Sequence, residues 1–117
     1  MVLVADSSTA ARTPCVRYLT LRGFQVMEAA SGDEALSKLG RTRPNAILSG
    51  LEGNDARQLY DRLRVDDELR HVPIIVLAAD DDIPLPATDA TVLMKPFSLH
   101  TLLTDLRHAF RMAVGIH

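Results

Sequence analysis

The sequence predicts an open, parallel α/β sheet with helices packed on both faces. Three observations carry this. Short apolar runs of strand length alternate five times with helix-length amphipathic stretches. The first of these runs, MVLVA, and the fourth, PIIVLAA, are apolar throughout, and the first reads as a strand covered on both faces. Ser, Thr, Asp and Gly, residues that start and stop helices, stand between the runs. Right-handed crossovers between successive parallel strands then distribute the helices to the two faces.

Met1 to Ala5 (MVLVA) reads as the first buried strand, and Asp6-Ser7-Ser8-Thr9 as a loop able to cap a helix. Ala11, Cys15, Tyr18 and Leu19 recur at helical spacing as far as Gly23, a stop signal; Pro14 within that stretch is expected to delay the helix start or bend it. Phe24 to Glu28 reads as a second strand. Ser31 with Glu34 three residues on forms a capping box before a short helix with Ala35, Leu36 and Leu39 on one face, closed by Gly40. Pro44 introduces a third strand, Asn45 to Ser49, and Gly50 to Asn54 a loop. The next helix turns Ala56, Leu59, Tyr60 and Leu63 inward, with Asp55 expected as its N-cap.

A charged connector, Val65 to His71, leads to Pro73 to Ala79, the most apolar strand. Asp80 to Asp89 holds Pro84 and Pro86, so no regular helix is expected there. Thr91 to Met94 reads as a fifth strand. Ser98 caps a last helix whose apolar face is Leu99, Leu102, Leu103, Leu106, Ala109 and Phe110. Residues 1–117 are thus expected to form one domain, a length that suits a single core.

Composition excludes several classes. Hydrophobic residues make up 47% and charged residues 24%, too apolar for a disordered chain. Thirteen basic against fifteen acidic residues give a formal charge of -2, without a nucleic-acid or membrane-surface footprint. No apolar run is long enough to span a membrane. A lone cysteine, Cys15, cannot form an internal disulfide, and no signal peptide is read, so a cytoplasmic setting is expected. Cys15 is read as a small core residue. His71, His100, His108 and His117 show no metal-ligand spacing. No Gly-rich phosphate loop follows the first strand, which argues against a flavin or nucleotide enzyme on the same fold.

In a sheet of this kind ligands bind at the carboxyl ends of the strands, near the switch in strand order. Those ends bring forward Asp6, Ser7, Gly50, Ala78 and Lys95. The stretches VLVADSS, PNAILSGLEGND, VPIIVLAADDD and LMKPF, in this order, resemble the receiver domain of two-component response regulators over essentially the whole chain. The resemblance implies a flavodoxin-like (βα)5 fold with strand order 2-1-3-4-5. Here the fourth helix is expected to be shortened or absent, because the segment between Ala78 and Lys95 is short for the family.

In typical receivers two acidic residues after the first strand and an aspartate ending the third bind Mg²⁺. That aspartate takes the phosphoryl group from a histidine kinase, while a Thr or Ser ending the fourth strand and the Lys of a KPF motif hold its oxygens. Carried over, Asp6 matches the first acidic position and Ser7 replaces the second. Gly50 stands at the acceptor position, Ala78 at the Thr/Ser position, and Lys95 matches the lysine. Glycine has no nucleophile, and Mg²⁺ wants hard oxygen ligands. The resemblance therefore implies a pseudo-receiver with no Mg²⁺ site and no other cofactor, not an enzyme, with Asp6 and Lys95 as remnants free to pair.

Asp55 as a displaced acceptor, Ser49 as a chemical group and Asp80-Asp81-Asp82 as a cation site are each read instead as cap, core lining and solvated loop. The expected function is a phosphorylation-independent interaction module with a protein partner or a fused output domain; homodimerisation is left open, and neither nucleic acid nor membrane is expected as a direct partner. Ile83, Leu85, Val92, Pro96 and Phe97 are the candidate contacts. The competing expectation is a working phosphoacceptor receiver with a non-standard site.

Overall fold

The computed structural model describes residues 1–79 and 91–113, the side chains of 112 and 113 excepted. The elements run β1 (Val2–Ala5), α1 (Thr9–Leu21), β2 (Val26–Ala29), α2 (Gly32–Leu39), β3 (Ala46–Ser49), α3 (Gly53–Val65), a single 3-10 turn (Leu69–His71), β4 (Ile74–Ala78), β5 (Thr91–Met94) and α4 (Leu99–Ala113). All strand pairs are parallel and the sheet order is β2-β1-β3-β4-β5. This is the predicted flavodoxin-like doubly wound sheet. The shortened or absent fourth helix falls on residues 80–90, outside the described residues, as do Ile83 and Leu85.

The two-residue period of a strand builds the two cores. Leu3, Ala5, Ile47, Val76 and Ala78 face one way and meet Ala35 and Leu39 of α2 and Ala56, Leu59, Tyr60 and Leu63 of α3. Val2, Val4, Ala46, Leu48, Ile75 and Leu77 face the other way and meet Cys15 and Leu19 of α1 and Leu102, Leu103 and Leu106 of α4. Central strands β1 and β3 are buried on both faces, which is why β1 reads as an unbroken apolar run and β3 as one broken only by its last residue, Ser49. Each fully buried aliphatic side chain contributes about 1.5–3 kcal/mol relative to exposure, so the two layers dominate stability. Among the described residues, no helix is long and apolar enough to cross a membrane.

Local chemistry sets the helix ends. Ser8 in extended conformation accepts the Ala11 N–H and starts α1 at Thr9, so Pro14 does not delay that start. Gly23, at φ 93°, takes the left-handed turn that ends the helix, and its N–H reaches the Thr20 carbonyl. Ser31 caps α2 through the Glu34 N–H; the Glu34 carboxylate pairs with Lys38 at 3.4 Å, so only half of the expected capping box is seen. Ser98 accepts the Thr101 N–H at the start of α4.

Two expectations need correction. The second strand starts at Val26 rather than Phe24, because the Phe24 N–H returns to the Leu19 carbonyl at the end of α1. The N-cap of α3 is Glu52, extended at φ -130°, and not Asp55. Asp55 lies in the first helical turn, where its Oδ1 accepts the Gly32 N–H of α2 at 3.0 Å. It therefore satisfies an open donor of the neighbouring helix rather than of its own.

Candidate functional site

Register brings the site together. Ala5 lies beside Ser49, so the next residues, Asp6 and Gly50, are also neighbours; Gly50 donates its N–H to the Ala5 carbonyl at 2.7 Å. By the strand alternation both project to the α1/α4 face. Ala78 lies beside Met94, and Lys95 donates its N–H to the Ala78 carbonyl at 2.7 Å. The carboxyl ends of β1, β3, β4 and β5 thus collect Asp6, Gly50, Ala78 and Lys95, as expected of this topology.

Asp6 is the hub. Although charged, it is only 3% exposed. Its Oδ1 accepts the Ser8 N–H at 2.9 Å, and its Oδ2 faces the Lys95 ammonium at 3.4 Å. Its carbonyl accepts the Arg12 guanidinium at 2.6 Å, and Arg12 is itself paired with Glu28 of β2 at 3.0 Å. Of the two outcomes the sequence left open for Asp6 and Lys95, pairing or separate solvated charges, the structure shows the pair. Ser7, in contrast, is exposed and makes no side-chain hydrogen bond among those described.

Gly50 contributes no side chain, and the room above it is taken. A Cβ built there would lie 2.1 Å from Asp6 Oδ2 and 2.8 Å from its Cγ. Ser49 points to the opposite face, fully buried, and accepts the Tyr60 hydroxyl at 2.9 Å and the Leu51 N–H at 3.3 Å. Burial pushes the Tyr60 phenol above its usual range. This pair ties β3 to α3, in keeping with a core-lining Ser49.

The strand ends offer few hard oxygen ligands of the kind Mg²⁺ takes. Asp6 is the one carboxylate among the four collected strand ends, and both of its oxygens are engaged. Among the described residues, no group of three His, Cys, Asp or Glu side chains is placed to hold a metal. His71, His100 and His108 are exposed; His117 lies outside the described residues.

Cys15 is buried beneath this site on α1, and burial raises its thiol pKa, with the Asp6 charge adding to the rise. Iodoacetamide is expected to alkylate the native protein at least about ten-fold more slowly than the urea-unfolded chain, as read by mass spectrometry. Equal rates would show that the thiol is not enclosed.

The candidate contact residues divide. Val92 is half-buried against the α2/α3 core and Phe97 against the α1/α4 core, so both spend apolar surface inward. Pro96, joined to Lys95 by a cis peptide bond, is exposed. Sequence reasoning missed Met94, 40% exposed at the end of β5, and Leu21, 82% exposed at the end of α1. The apolar run around Met94 hides its outward position, which only the edge location of β5 reveals.

No protein-family model matches the chain. It is 36% identical, over 94% of its length, to the response regulators MprA of Mycobacterium sp. (strain KMS) and Mycobacterium leprae (strain TN). The chain spans about half the length of these curated relatives, 50% in each case. Among solved structures, it is similar to the chemotaxis response regulator CheY4 of Vibrio cholerae, at a TM-score of 0.79 and 28% identity, covering 92% of this chain and 96% of that one. The signal receiver domain of a signal transduction histidine kinase from Syntrophus aciditrophicus shares the fold at a TM-score of 0.84 and 22% identity, covering 99% of this chain and 93% of that one. By fold and by sequence likeness, the chain is a receiver domain of the two-component response-regulator type.

Proposed function

We propose that this receiver domain is a pseudo-receiver: it takes up no phosphoryl group and acts by protein–protein contact. The observation that carries this reading is Gly50. Phosphoryl transfer to an acyl oxygen needs a carboxylate at the attack position, and glycine supplies neither oxygen nor nucleophile. Two further departures support it. Ala78 cannot donate a hydrogen bond to a phosphoryl oxygen, and the lone Asp6 makes a poor seat for the Mg²⁺ that such chemistry needs. No cofactor and no catalytic turnover belong to this reading.

The partner is a separate protein or a fused output domain, in keeping with relatives whose other half lies outside the matched region. Met94, exposed at the end of β5, and the exposed Pro96 just beyond it are the part of the site's rim that such a partner would meet. A cytoplasmic setting, where a single thiol stays reduced, suits Cys15.

Incubation with acetyl phosphate and Mg²⁺, followed by intact-mass measurement, tests the reading. No acid-labile mass gain is expected. A stoichiometric gain of one phosphate would establish a working acceptor elsewhere in the chain and overturn it.

A further inference from the structure

We infer that the Asp6 carboxylate stands in for the side chain missing at position 50, so that Asp6 and Gly50 form one coupled unit that clasps Lys95. This goes beyond the preceding reading, since it holds whether or not another residue accepts a phosphoryl group.

The backbone gives no reason for glycine at position 50. Positive φ angles among the described residues occur only at Gly23 and Gly53, so residue 50 has a conformation open to any side chain. What excludes a side chain is Asp6, whose Oδ2 would lie 2.1 Å from the new Cβ. A carboxylate with access to water is expected to turn outward, because burying a charge is costly. Asp6 instead stays 3% exposed, in the room that a side chain on Gly50 would fill.

Its charge is compensated on two sides, by the Ser8 N–H at 2.9 Å and by Lys95 at 3.4 Å. The Lys95 stem crosses from β5 to reach it, past the carboxyl end of β3. One residue therefore links β1 and the start of α1 to the outer strand β5, over the glycine of β3. The loss at position 50 and the retention of Asp6 are two halves of one arrangement. The pocket carries its own anion, which fixes the lysine that leads into Pro96 and Phe97.

The test is a double-mutant cycle on the full chain, read by thermal unfolding. Gly50→Ala should lower the midpoint by several degrees, because its methyl group and the carboxylate need the same space. In the Asp6→Ala background the same methyl enters vacated room, so Gly50→Ala should be neutral or raise the midpoint. The double variant should then unfold at least roughly 4 °C above the additive expectation. Additive midpoints would overturn the coupling.

A second readout does not depend on how well Gly50→Ala folds. The chain has two lysines, Lys38 and Lys95, so ¹⁵N-lysine labelling gives two side-chain ammonium signals. Asp6→Asn, which keeps the volume and removes the charge, should shift the Lys95 signal and leave that of Lys38, paired with Glu34, in place. An unmoved Lys95 signal would overturn the clasp.

Discussion

Gly50→Asp, the substitution that would give β3 a carboxylate, is expected to lower the thermal midpoint by roughly 10 °C. Two effects add. The new side chain enters space held by Asp6, and overpacking of this kind amounts to about 1–3 kcal/mol. Beyond volume, a second carboxylate would then stand beside the buried Asp6, whose own carboxylate is paired with Lys95, and like charges so placed oppose each other's ionisation. Together about 3 kcal/mol is reasonable, which for a domain of this size is the stated shift.

Gly50→Asn separates the two effects. It keeps the volume and removes the second charge, so its midpoint should fall less. Millimolar MgCl₂ should recover part of the loss in Gly50→Asp, since a divalent cation bound between two carboxylates stabilises the folded state by mass action, while leaving the parent protein unchanged. A Gly50→Asp protein as stable as the parent would mean that Asp6 does not occupy the room above residue 50. The comparison matters for function, because it asks whether the pocket can be returned to a phosphoacceptor form by one substitution. The geometry says that Asp6 must move first.

The fold was legible because its determinants are local. Leu3, Ala5, Ile47 and Val76 alternate with Val2, Val4, Leu48 and Ile75, and this parity assigns each side chain to a layer before any tertiary contact is known. Ser8, Ser31 and Ser98 act as caps because a short hydroxyl at an extended residue can bond only to the turn that follows it. The convergence of Asp6, Gly50 and Lys95 follows from topology alone, whereas the ion pair between Asp6 and Lys95 was one of two outcomes the sequence allowed.

What escaped the sequence depends on partners distant along the chain. Asp55 looks like a cap for its own helix, but its hydrogen-bond donor is Gly32, 23 residues earlier. That Asp6 fills the space above Gly50 depends on register and side-chain rotamer, neither of which composition reveals. The outward aspect of Met94 follows from β5 being an edge strand, and an apolar run reads the same at the edge as at the centre.

Gly32→Ala should lower the midpoint by roughly 4–10 °C, although helix propensity alone predicts the opposite sign. Gly32 opens α2, where replacing glycine by alanine ordinarily gains about 0.5–1 kcal/mol. Here, however, the start of α2 lies against the first turn of α3. An added Cβ would stand 2.7 Å from the Asp55 carbonyl oxygen and 3.1 Å from the Asp55 Cα. These are backbone atoms, which cannot swing away as a flexible side chain could, so the two helices would have to separate.

Separation would also stretch the 3.0 Å bond from the Gly32 N–H to Asp55 and the 3.3 Å bond from Gln58 to Asp33, both of which join α2 to α3. Overpacking of about 1–3 kcal/mol plus a weakened hydrogen bond outweighs the propensity gain. Gly40→Ala at the other end of α2 is the matched control. Gly40 has ordinary helical φ and ψ, and its nearest obstacle to a Cβ is the Ser37 carbonyl at 3.4 Å. That substitution should leave the midpoint unchanged or raise it slightly. If both alanine variants were equally stable, the close approach of α2 to α3 would not constrain position 32. A loss confined to Gly32→Ala would show that the close approach of α2 to the Asp55 backbone on α3 is what requires a glycine at position 32.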